Sequence, residues 1–442
     1  MENKISDLEK IRQQFDSAPY PRIPLDHYPA KIKFIFLYNM VTAYYLRYQK
    51  VVETEGKLIL DAGCGSGFKS LALAIANPGA RIVGVDLSEE STNLARERLK
   101  YHHFTNVEFH AISIYDLPKL GLEFDYIDCD ETLYVLPDIV AGLKAMKAVL
   151  KPEGIIRTNL HNSSQRRNYF TAQKLFKMLG FMDENPGQLE IEQAKEIMNA
   201  LKNQVLLKAS TTVVDDEMDD EWYLMNYLFQ GDKGYTIPET FEALRAADLE
   251  FISMVNWPAW NVLDLFQDAG NLPAALGMTL PELSVEEQLH LYEMLHPIHR
   301  LIDFWCGHPN AAAPKVPVVE WTDSDWQGAT VHLHPSLKVP EVKQEMLSAV
   351  TNIKMVEIAK YLPFVKESSL LMDSMVVSCL IPLLEKPMSM RSLVERWRYI
   401  RPVNPVNLEP IATETAFDLV KKILTTLEPI GFVLLERPPA KA

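Results

Sequence analysis

One glycine-rich turn constrains the fold of this chain more than any other feature. Residues 58–67 read LILDAGCGSG, so a run of strand-forming residues passes directly into a turn, and a helical pattern follows from Lys69. Gly63 and Gly65 allow backbone torsions that a Cβ atom forbids, and they let the main chain lie against a ligand. Gly67 is expected to let the following helix pack closely on the strand.

Strands and helices alternate regularly after this turn. The pattern predicts strands at 58–60, 81–85, 107–111, 124–129 and 155–160, separated by helices at 69–76, 88–101 and 138–150. Such alternation predicts an α/β fold with a Rossmann-like, doubly wound parallel sheet. In that fold the glycine-rich turn lies at the carboxyl edge of the sheet, where ligands bind.

The alternation stops after His161, and the rest of the chain is predicted to be mostly helical. Helices are expected at 169–179, 193–207 and 238–247, strands at 251–255, 330–333 and 432–435, a solvated acidic loop at 215–221 and a buried helix around 301–305. We therefore expect an N-terminal helical or lid segment, a Rossmann-like core, helical cap insertions with late strands that complete the core sheet, and a mostly helical C-terminal domain. Their expected bounds are 1–55, 56–164, 165–335 and 336–442.

The spacing of the turn selects the class of ligand. A dinucleotide fingerprint would place glycine at position 68, which is Phe68, and no Gly-Lys-Ser/Thr sequence follows as in a phosphate-binding loop. Asp61 disfavours a phosphate beside the turn and suits a cationic ligand such as S-adenosylmethionine. Asp86, at the end of the second strand, is placed to accept hydrogen bonds from both hydroxyls of a ribose. The alternative for Asp86 is an N-cap of the helix after Ser88.

With these motifs, residues 57–160 resemble the class I S-adenosylmethionine-dependent methyltransferases, most closely the ubiquinone/menaquinone-methyltransferase type. The resemblance implies that the turn lines the methionine end of the cofactor, with Asp61, Gly63, Cys64, Gly65 and Gly67 as its binding residues. It implies that Asp86 holds the ribose and that Leu87 packs on the adenine. Ser113, followed by Ile114, stands where many relatives carry an aspartate that binds the adenine amine.

Methyl transfer is a one-step displacement, so the protein mainly aligns the reacting atoms, and a base is needed only if the acceptor must lose a proton. Asp130 and Glu131 follow the fourth strand, and His161 ends the fifth, so all three are candidate catalytic groups. The alternatives are loop solvation or a helix cap for the carboxylates and a structural histidine for His161. The chain has no Asn/Asp-Pro-Pro-Tyr sequence, which disfavours planar amide or base nitrogens as acceptors.

Two further features bear on the cofactor and the acceptor. The proline-rich loop 15–24 carries Tyr20 and Arg22 and is expected either to close over the cofactor or to pack on the flank of the sheet. Five tryptophans are expected to line an acceptor pocket or to pack the cap: Trp257, Trp260, Trp305, Trp321 and Trp326. The histidines at 296–308 match no usual zinc spacing, so no metal is expected.

Composition limits the partners and the compartment. The net charge of −15 opposes nucleic-acid binding, the apolar stretch 369–384 is too short to span a membrane, and four scattered cysteines suit a reducing compartment. With no secretory signal pattern at the N-terminus, we expect a cytoplasmic protein. The expected acceptor is a small organic molecule methylated on oxygen, nitrogen or carbon. The alternatives are a basic polypeptide docked by the C-terminal domain and a non-catalytic S-adenosylmethionine-binding regulator.

Overall fold

The computed structural model describes residues 9–10, 12–13, 15–16, 19–212, 218–312, 315–365 and 370–438. The first residues of the expected N-terminal helix and residues 215–217 of the expected acidic loop lie outside the described residues.

In the described part of the chain, the core is an eight-stranded sheet. Its strands are β1 Leu58–Ala62, β2 Arg81–Asp86, β3 Val107–Ala111, β4 Phe124–Cys129, β5 Leu150–Asn162, β6 Gly234–Tyr235, β7 Glu250–Met254 and β8 Leu301–Gly307. Their order is β3-β2-β1-β4-β5-β8-β7, and β6 pairs with β5. Strands β1 to β5 are parallel, whereas β8 runs antiparallel to both of its neighbours. The predicted α/β, Rossmann-like fold is therefore confirmed.

Both faces of this sheet are buried under helices. These helices are α1 Ile32–Leu37, α2 Met40–Tyr48, α3 Phe68–Ala76, α4 Glu89–Tyr101, α5 Ile139–Ala148, α10 Ile237–Ala246, α11 Ala274–Thr279 and α12 Val285–Leu295. Since successive strand residues point to opposite sides, Leu60 and Val83 pack in one apolar cluster with α5 and α10, whereas Ile59 and Ile82 pack in another with α1 to α4. This burial explains why the central strands are nearly continuous apolar runs.

Among the residues that the structure describes, four helices inserted after β5 form a separate apolar cluster of their own. They are α6 Arg167–Met178, α7 Gln188–Ala200, α8 Leu206–Thr211 and α9 Asp220–Asn226. The expected helix at 193–207 is therefore two helices, because the chain leaves the helical conformation after Ala200 and re-enters it at Leu206.

The segment around 301–305 was expected to be a helix, and this expectation is wrong. Residues 301–307 form β8, which pairs with β5 along its length. Ile302, Phe304 and Trp305 are all buried, on both faces of the strand. A short run that is apolar at nearly every position has no periodicity that distinguishes a buried strand from a buried helix.

The expected edge strand at 330–333 does not belong to the core sheet. It is β9, Thr330–Leu333, the centre of a second sheet with the order β12-β9-β13. Val331 and Leu333 point into the C-terminal apolar cluster, against Val433 and Leu435 of β13. The two-residue alternation of β9 predicts a half-buried strand but not which sheet receives it.

The C-terminal region packs mostly as helices around this small sheet. Its elements are α13 Asp323–Gly328, α14 Pro340–Thr351, β10 Val356–Glu357, β11 Leu371–Met372, α15 Ser374–Leu380, β12 Met388–Ser389, α16 Met390–Ile400, α17 Thr413–Leu427 and β13 Val433–Glu436. His334 joins this region to the core, since its Nε2 atom lies 2.9 Å from the Thr42 hydroxyl of α2. Among the described residues, no helix combines the length and apolarity that crossing a membrane requires.

Candidate active site

A cavity opens at the carboxyl edge of the core sheet, over the glycine-rich turn. Its empty space, including its opening to solvent, is about 870 Å³. The described residues that line it are Phe15, Tyr20, Pro21, Gly63, Cys64, Gly65, Lys69, Asp86, Leu87, Ile112, Ser113, Ile114, Asp130, Glu131, Thr132, Val135 and Leu136. Most candidate residues from the sequence therefore come together here, and Asp61, Gly67, Arg22 and His161 do not.

The turn that bounds the cavity has left-handed torsions at Gly63, Gly65 and Gly67, with φ of 89°, 47° and 79°. A Cβ atom at Gly65 would collide with the carbonyl oxygen of Tyr20, and one at Gly63 would collide with the side chain of Thr132. Gly65 therefore allows the N-terminal loop to pack against the turn, and Gly63 allows the segment after β4 to do so. Both also leave the turn without side chains.

Gly67 has a different neighbour from the one expected. A Cβ atom there would collide with Ala95 of α4, so Gly67 lets two helices approach each other rather than a helix and its strand. Asp61 is not part of the cavity lining; it is buried and accepts a hydrogen bond from Ser70 at 2.5 Å. Burial raises the pKa of Asp61 to about 7.

Asp86 lies at the end of β2 with its carboxylate held in place by the backbone. Its Oδ2 atom accepts from the N–H of Gly65 and its Oδ1 atom from the N–H of Ser88, each at 2.9 Å. The N-cap of α4 is Ser88 and not Asp86. Each carboxylate oxygen has a second lone pair, so Asp86 can still accept hydrogen bonds from a ligand in the cavity.

The part of the cavity lining beside Asp86 is apolar. Leu87, Ile112 and Ile114 line the cavity beside Asp86. The hydroxyl of Ser113 accepts from the N–H of Tyr115 at 3.3 Å and caps a 3₁₀ turn. A flat, apolar ring can pack against this wall.

Asp130 is the most heavily partnered carboxylate of the site. Its Oδ2 atom accepts from Tyr38 at 2.9 Å and lies 2.8 Å from the ammonium of Lys69, while Asn159 donates to Oδ1. Although burial by itself would raise the pKa of Asp130, Lys69 and Arg157 hold it well below its usual range. Asp130 is thus a fixed negative charge and a weak base.

Glu131 follows in the left-handed region, with a φ of 56°, and its N–H donates to Asn159 Oδ1 at 2.8 Å. Its carboxylate forms an ion pair with Arg300, which precedes β8. Burial opposes ionisation, but Lys69 and Arg300 lower the pKa of Glu131. A second carboxylate is therefore kept ionised at the cavity wall.

His161 lies behind the cavity and is almost fully buried, with 2% of its surface exposed. Its Nδ1 atom lies 2.6 Å from Asp232 and its Nε2 atom 3.2 Å from Arg300, and its ring stacks on Tyr134. Burial lowers the pKa of His161, so the neutral ring donates to Asp232 and accepts from Arg300. Its contact with Arg300, which pairs with Glu131, links His161 to the cavity wall.

The N-terminal loop closes one side of the cavity. The N–H of Ser66 donates to the Tyr20 carbonyl at 2.9 Å, and Arg98 donates to the carbonyls of Ile23 and Pro24. Arg22 lies outside the cavity, and its N–H donates to Glu221 of the inserted helices at 3.1 Å. The loop therefore bridges the core and the inserted helices, with Phe15 and Tyr20 facing the cavity.

The five tryptophans considered from the sequence do not line this cavity. Trp305 donates to Tyr126 at 3.0 Å within the core, and Trp321 and Trp326 pack in the C-terminal cluster. The histidines at 296–308 also have other neighbours; His308, for example, lies 3.0 Å from the carbonyl of Leu150. No group of residues that could hold a metal ion occurs in the part of the chain that the structure describes.

Sequence reasoning missed Lys69, Thr132, Arg300 and Asp232. Of these four residues, only Lys69 could have been found from the sequence. A cation in the first turn of a helix is unfavourable, so a lysine there indicates a nearby anion. Arg300 and Asp232 reach the site from segments far along the chain, which no local pattern reveals.

Comparison with known proteins identifies the domain that carries this cavity. Residues 53–229 match the family described as "Methyltransferase domain". A ubiquinone biosynthesis O-methyltransferase of Coxiella burnetii is 32% identical over 152 residues, which is 34% of this chain and 63% of that protein. An uncharacterized protein of Synechococcus is 24% identical over 72% of this chain and 75% of its own length.

This chain contains a class I methyltransferase domain. The chain is a methyltransferase enzyme, and its cofactor is S-adenosylmethionine. The described residues fit that cofactor, since the cavity combines an acceptor for ribose hydroxyls, an apolar wall and an end with charges of both signs. The methyltransferase also shares its fold with PKMT2 from Rickettsia typhi, solved in complex with AdoHcy, with a TM-score of 0.60 and 17% identity over 94% of this chain and 78% of that one.

Proposed function

We propose that this methyltransferase transfers the methyl group to a basic side chain of a polypeptide. The observation that carries the proposal is the extent of the fold shared with PKMT2, a protein methyltransferase, which includes the inserted helices and the C-terminal region. The likeness to the ubiquinone O-methyltransferase covers 34% of the chain, a much smaller part. Specificity for an acceptor depends on the parts added to such a domain.

The charge of the cavity supports the same acceptor. The described lining includes the carboxylates Asp86, Asp130 and Glu131 and the ammonium of Lys69. Arg157 and Arg300 pair with Asp130 and Glu131 from outside this lining. The chain as a whole carries a net charge of −15, and an excess of negative charge attracts a cationic acceptor and repels an anionic one.

We assign the cofactor to the cavity residue by residue as part of this proposal. Asp86 binds the ribose hydroxyls, Leu87 and Ile114 pack on the adenine, and Ser113 lies near its amine. Gly63, Cys64 and Gly65 form the floor beneath the methionine end. Tyr20 covers the cavity and excludes water from it, which strengthens the electrostatic interactions inside.

When bound, S-adenosylmethionine supplies an activated methyl carbon for a one-step displacement. The acceptor nitrogen reacts in its neutral form, after its proton has passed to solvent. Asp130 and Glu131 are held as carboxylates, so they orient the acceptor and stabilise the positive charge that its nitrogen gains with the methyl group. Arg300 fixes the position of the Glu131 carboxylate, and His161 with Asp232 fixes Arg300. The protein therefore contributes mainly alignment, which is what a methyl transfer requires.

Labelled cofactor tests this proposal directly. The protein is incubated with methyl-tritiated S-adenosylmethionine and either poly-L-lysine, poly-L-arginine or a catechol, and label is counted in the acid-precipitable and the organic-extractable fractions. We expect label in the acid-precipitable fraction with a basic polymer, and much less label with the Asp86→Ala variant when the cofactor concentration is below its Kd. Label that enters only the catechol would contradict the proposal.

A small-molecule acceptor is the second candidate, and the identity with the ubiquinone biosynthesis O-methyltransferase favours it. Val135 and Leu136 extend the apolar lining of the cavity beyond the expected adenine wall. An aromatic acceptor could pack there, and the catechol arm of the same experiment detects it.

A further inference from the structure

A groove lies in the C-terminal region, between α16, α17 and β11, and we call it the C-terminal groove. Its empty space, including its opening to solvent, is about 810 Å³. Much of its lining is aliphatic and includes Ile358, Leu371, Met372, Leu419, Ile423 and Leu427. The described lining of this groove shares no residue with that of the cavity in the core. The C-terminal groove is therefore a separate place for a ligand.

Two helices bring charged and aromatic side chains to the same groove. Residues three and four apart share one face of a helix, and Leu419, Lys422 and Ile423 have this spacing in α17. Trp397 of α16 and Arg401, the first residue after that helix, lie four residues apart and both line the groove. Apolar and cationic groups therefore border one space.

Trp397 contributes a hydrogen-bond donor that has no acceptor. Its side chain lines the groove and is 3% exposed, and its Nε1 atom is buried without a hydrogen-bond partner among the described residues. Burying a polar group without a partner costs stability, and a buried indole N–H usually has one. An acceptor atom of a ligand in the groove would supply the missing partner.

The charge of the groove indicates the sign of that ligand. Arg401 and Lys422 line it, and neither forms an ion pair with a carboxylate of the described chain. Asp373 is the carboxylate of the described lining, and its Oδ1 atom accepts from the N–H groups of Met375 and Val376. The groove is therefore cationic overall, although the chain carries a net charge of −15, and it attracts an anion.

We infer that the C-terminal groove binds an aliphatic carboxylic acid in its ionised form. The hydrocarbon chain packs on the aliphatic lining, and a carboxylate oxygen accepts from the Nε1–H group of Trp397. Arg401 and Lys422 compensate the charge, and a guanidinium can donate to both oxygens of a carboxylate. This site goes beyond the proposed function, and it depends neither on the kind of methyl acceptor nor on the cofactor.

A free acid suits the groove better than a segment of polypeptide does. Each residue of a peptide brings an N–H and a C=O group, and both need partners when they are buried. The polar residues of the described lining are Asp373, Trp397, Arg401, Lys422 and Thr426, and the hydroxyl of Thr426 already donates to the carbonyl of Lys422 at 3.0 Å. A carboxylate at one end of an apolar chain needs only donors, which this lining supplies.

Calorimetry of the full chain with three ligands tests the site. Decanoate has an apolar chain and a carboxylate, decanol has the chain without the charge, and propanoate has the charge with almost no chain. We expect one molecule of decanoate to bind per chain, at least about tenfold more tightly than either of the others, as a charged hydrogen bond would provide. Equal affinity for decanol or propanoate would overturn the inference.

Saturating S-adenosylhomocysteine locates the bound acid. It should leave the Kd of decanoate unchanged, because the two lie in different parts of the molecule. Competition between them would place decanoate in the cavity of the core and would refute the C-terminal groove as its site.

Arg401→Gln and Trp397→Phe each remove one proposed donor. Each should raise the Kd of decanoate about tenfold and change the Kd of S-adenosylhomocysteine less than twofold. Arg398→Gln is the matched control, because Arg398 is exposed on α16 and lies outside the described lining of the groove. An unchanged Kd in Arg401→Gln, or the same loss in Arg398→Gln, would contradict the assignment.

Lys422→Gln covers the case in which Trp397→Phe does not fold, since Lys422 is exposed. The Kd of decanoate should rise about threefold, because an exposed charge contributes less than a buried one, and no rise would count against the site. Acetyl-trileucine, with a free C-terminal carboxylate, represents a polypeptide source of the same chemistry. We expect it to bind more weakly than decanoate, and tighter binding would assign the groove to the end of a polypeptide and refute the free acid.

Discussion

The N–H of Gly65 donates a 2.9 Å hydrogen bond to Oδ2 of Asp86. This bond joins the turn after β1 to the end of β2, so the torsions of the turn and the orientation of the carboxylate depend on each other. The two sequence motifs of the domain are therefore one structural unit at the floor of the cavity.

Asp86→Ala should weaken binding of S-adenosylhomocysteine by about 2–3 kcal/mol, because it removes charged hydrogen bonds to the ligand and frees the turn. Asp86→Asn should lose less, since an amide oxygen can still accept from Gly65. Isothermal calorimetry measures both. Asp116→Asn, an exposed partner of Lys119 outside the cavity, is the control; an Asp86→Ala variant with unchanged affinity would remove Asp86 from the ribose site.

Gly65→Ala should abolish cofactor binding, since the new Cβ atom displaces the Tyr20 carbonyl and with it the N-terminal loop. Gly121→Ala is the matched control, because Gly121 has a φ of 64° and nothing within 4 Å of its Cβ position. The control should lose only about 1 kcal/mol of stability from backbone strain. Calorimetry and thermal unfolding of both variants separate strain from collision, and equal binding by both would contradict the explanation.

Arg300→Gln should lower kcat/KM for the acceptor about tenfold or more while the Kd of S-adenosylhomocysteine changes less than twofold. The reason is that Glu131 loses the cation that fixes its carboxylate, and His161 loses its donor. Steady-state kinetics and calorimetry give the two quantities. Arg245→Gln breaks an exposed pair with Glu286 and should match the wild type; a loss confined to cofactor affinity would place Arg300 elsewhere in the mechanism.

Stability should fall in mild acid because of His334. Burial lowers the pKa of His334 to about 3 from an ordinary 6.5, so the unfolded state takes up a proton first as the pH falls through 6.5. The free energy of unfolding should therefore drop by about 1.4 kcal/mol between about pH 7.5 and about pH 5.5 from this residue. Urea unfolding of the wild type and of His334→Gln measures it, and parallel pH profiles would show that His334 contributes nothing.

The sequence was sufficient for the core and for much of the cavity. The bare turn at 63–67, the alternation of strands and helices and the acidic end of β2 are local patterns, each with a local physical cause. They predicted the Rossmann-like sheet, confirmed by the structure, and S-adenosylmethionine as the cofactor, confirmed by the comparisons. Six of the residues predicted to bind the cofactor line the cavity: Gly63, Gly65, Asp86, Leu87, Ser113 and Ile114.

Tertiary structure decided what depends on residues far apart in the chain. Periodicity could not predict that 301–307 is a strand, because a short apolar run is compatible with a buried strand or a buried helix. It also could not predict that β9 joins the C-terminal sheet, because its alternation is compatible with either sheet. Nor could periodicity predict the ion pair of Lys69 with Asp130, or the position of Arg300 between Glu131 and His161. A local pattern fixes which face of an element is buried, but the charge that a buried carboxylate keeps depends on which distant cations the topology brings to it.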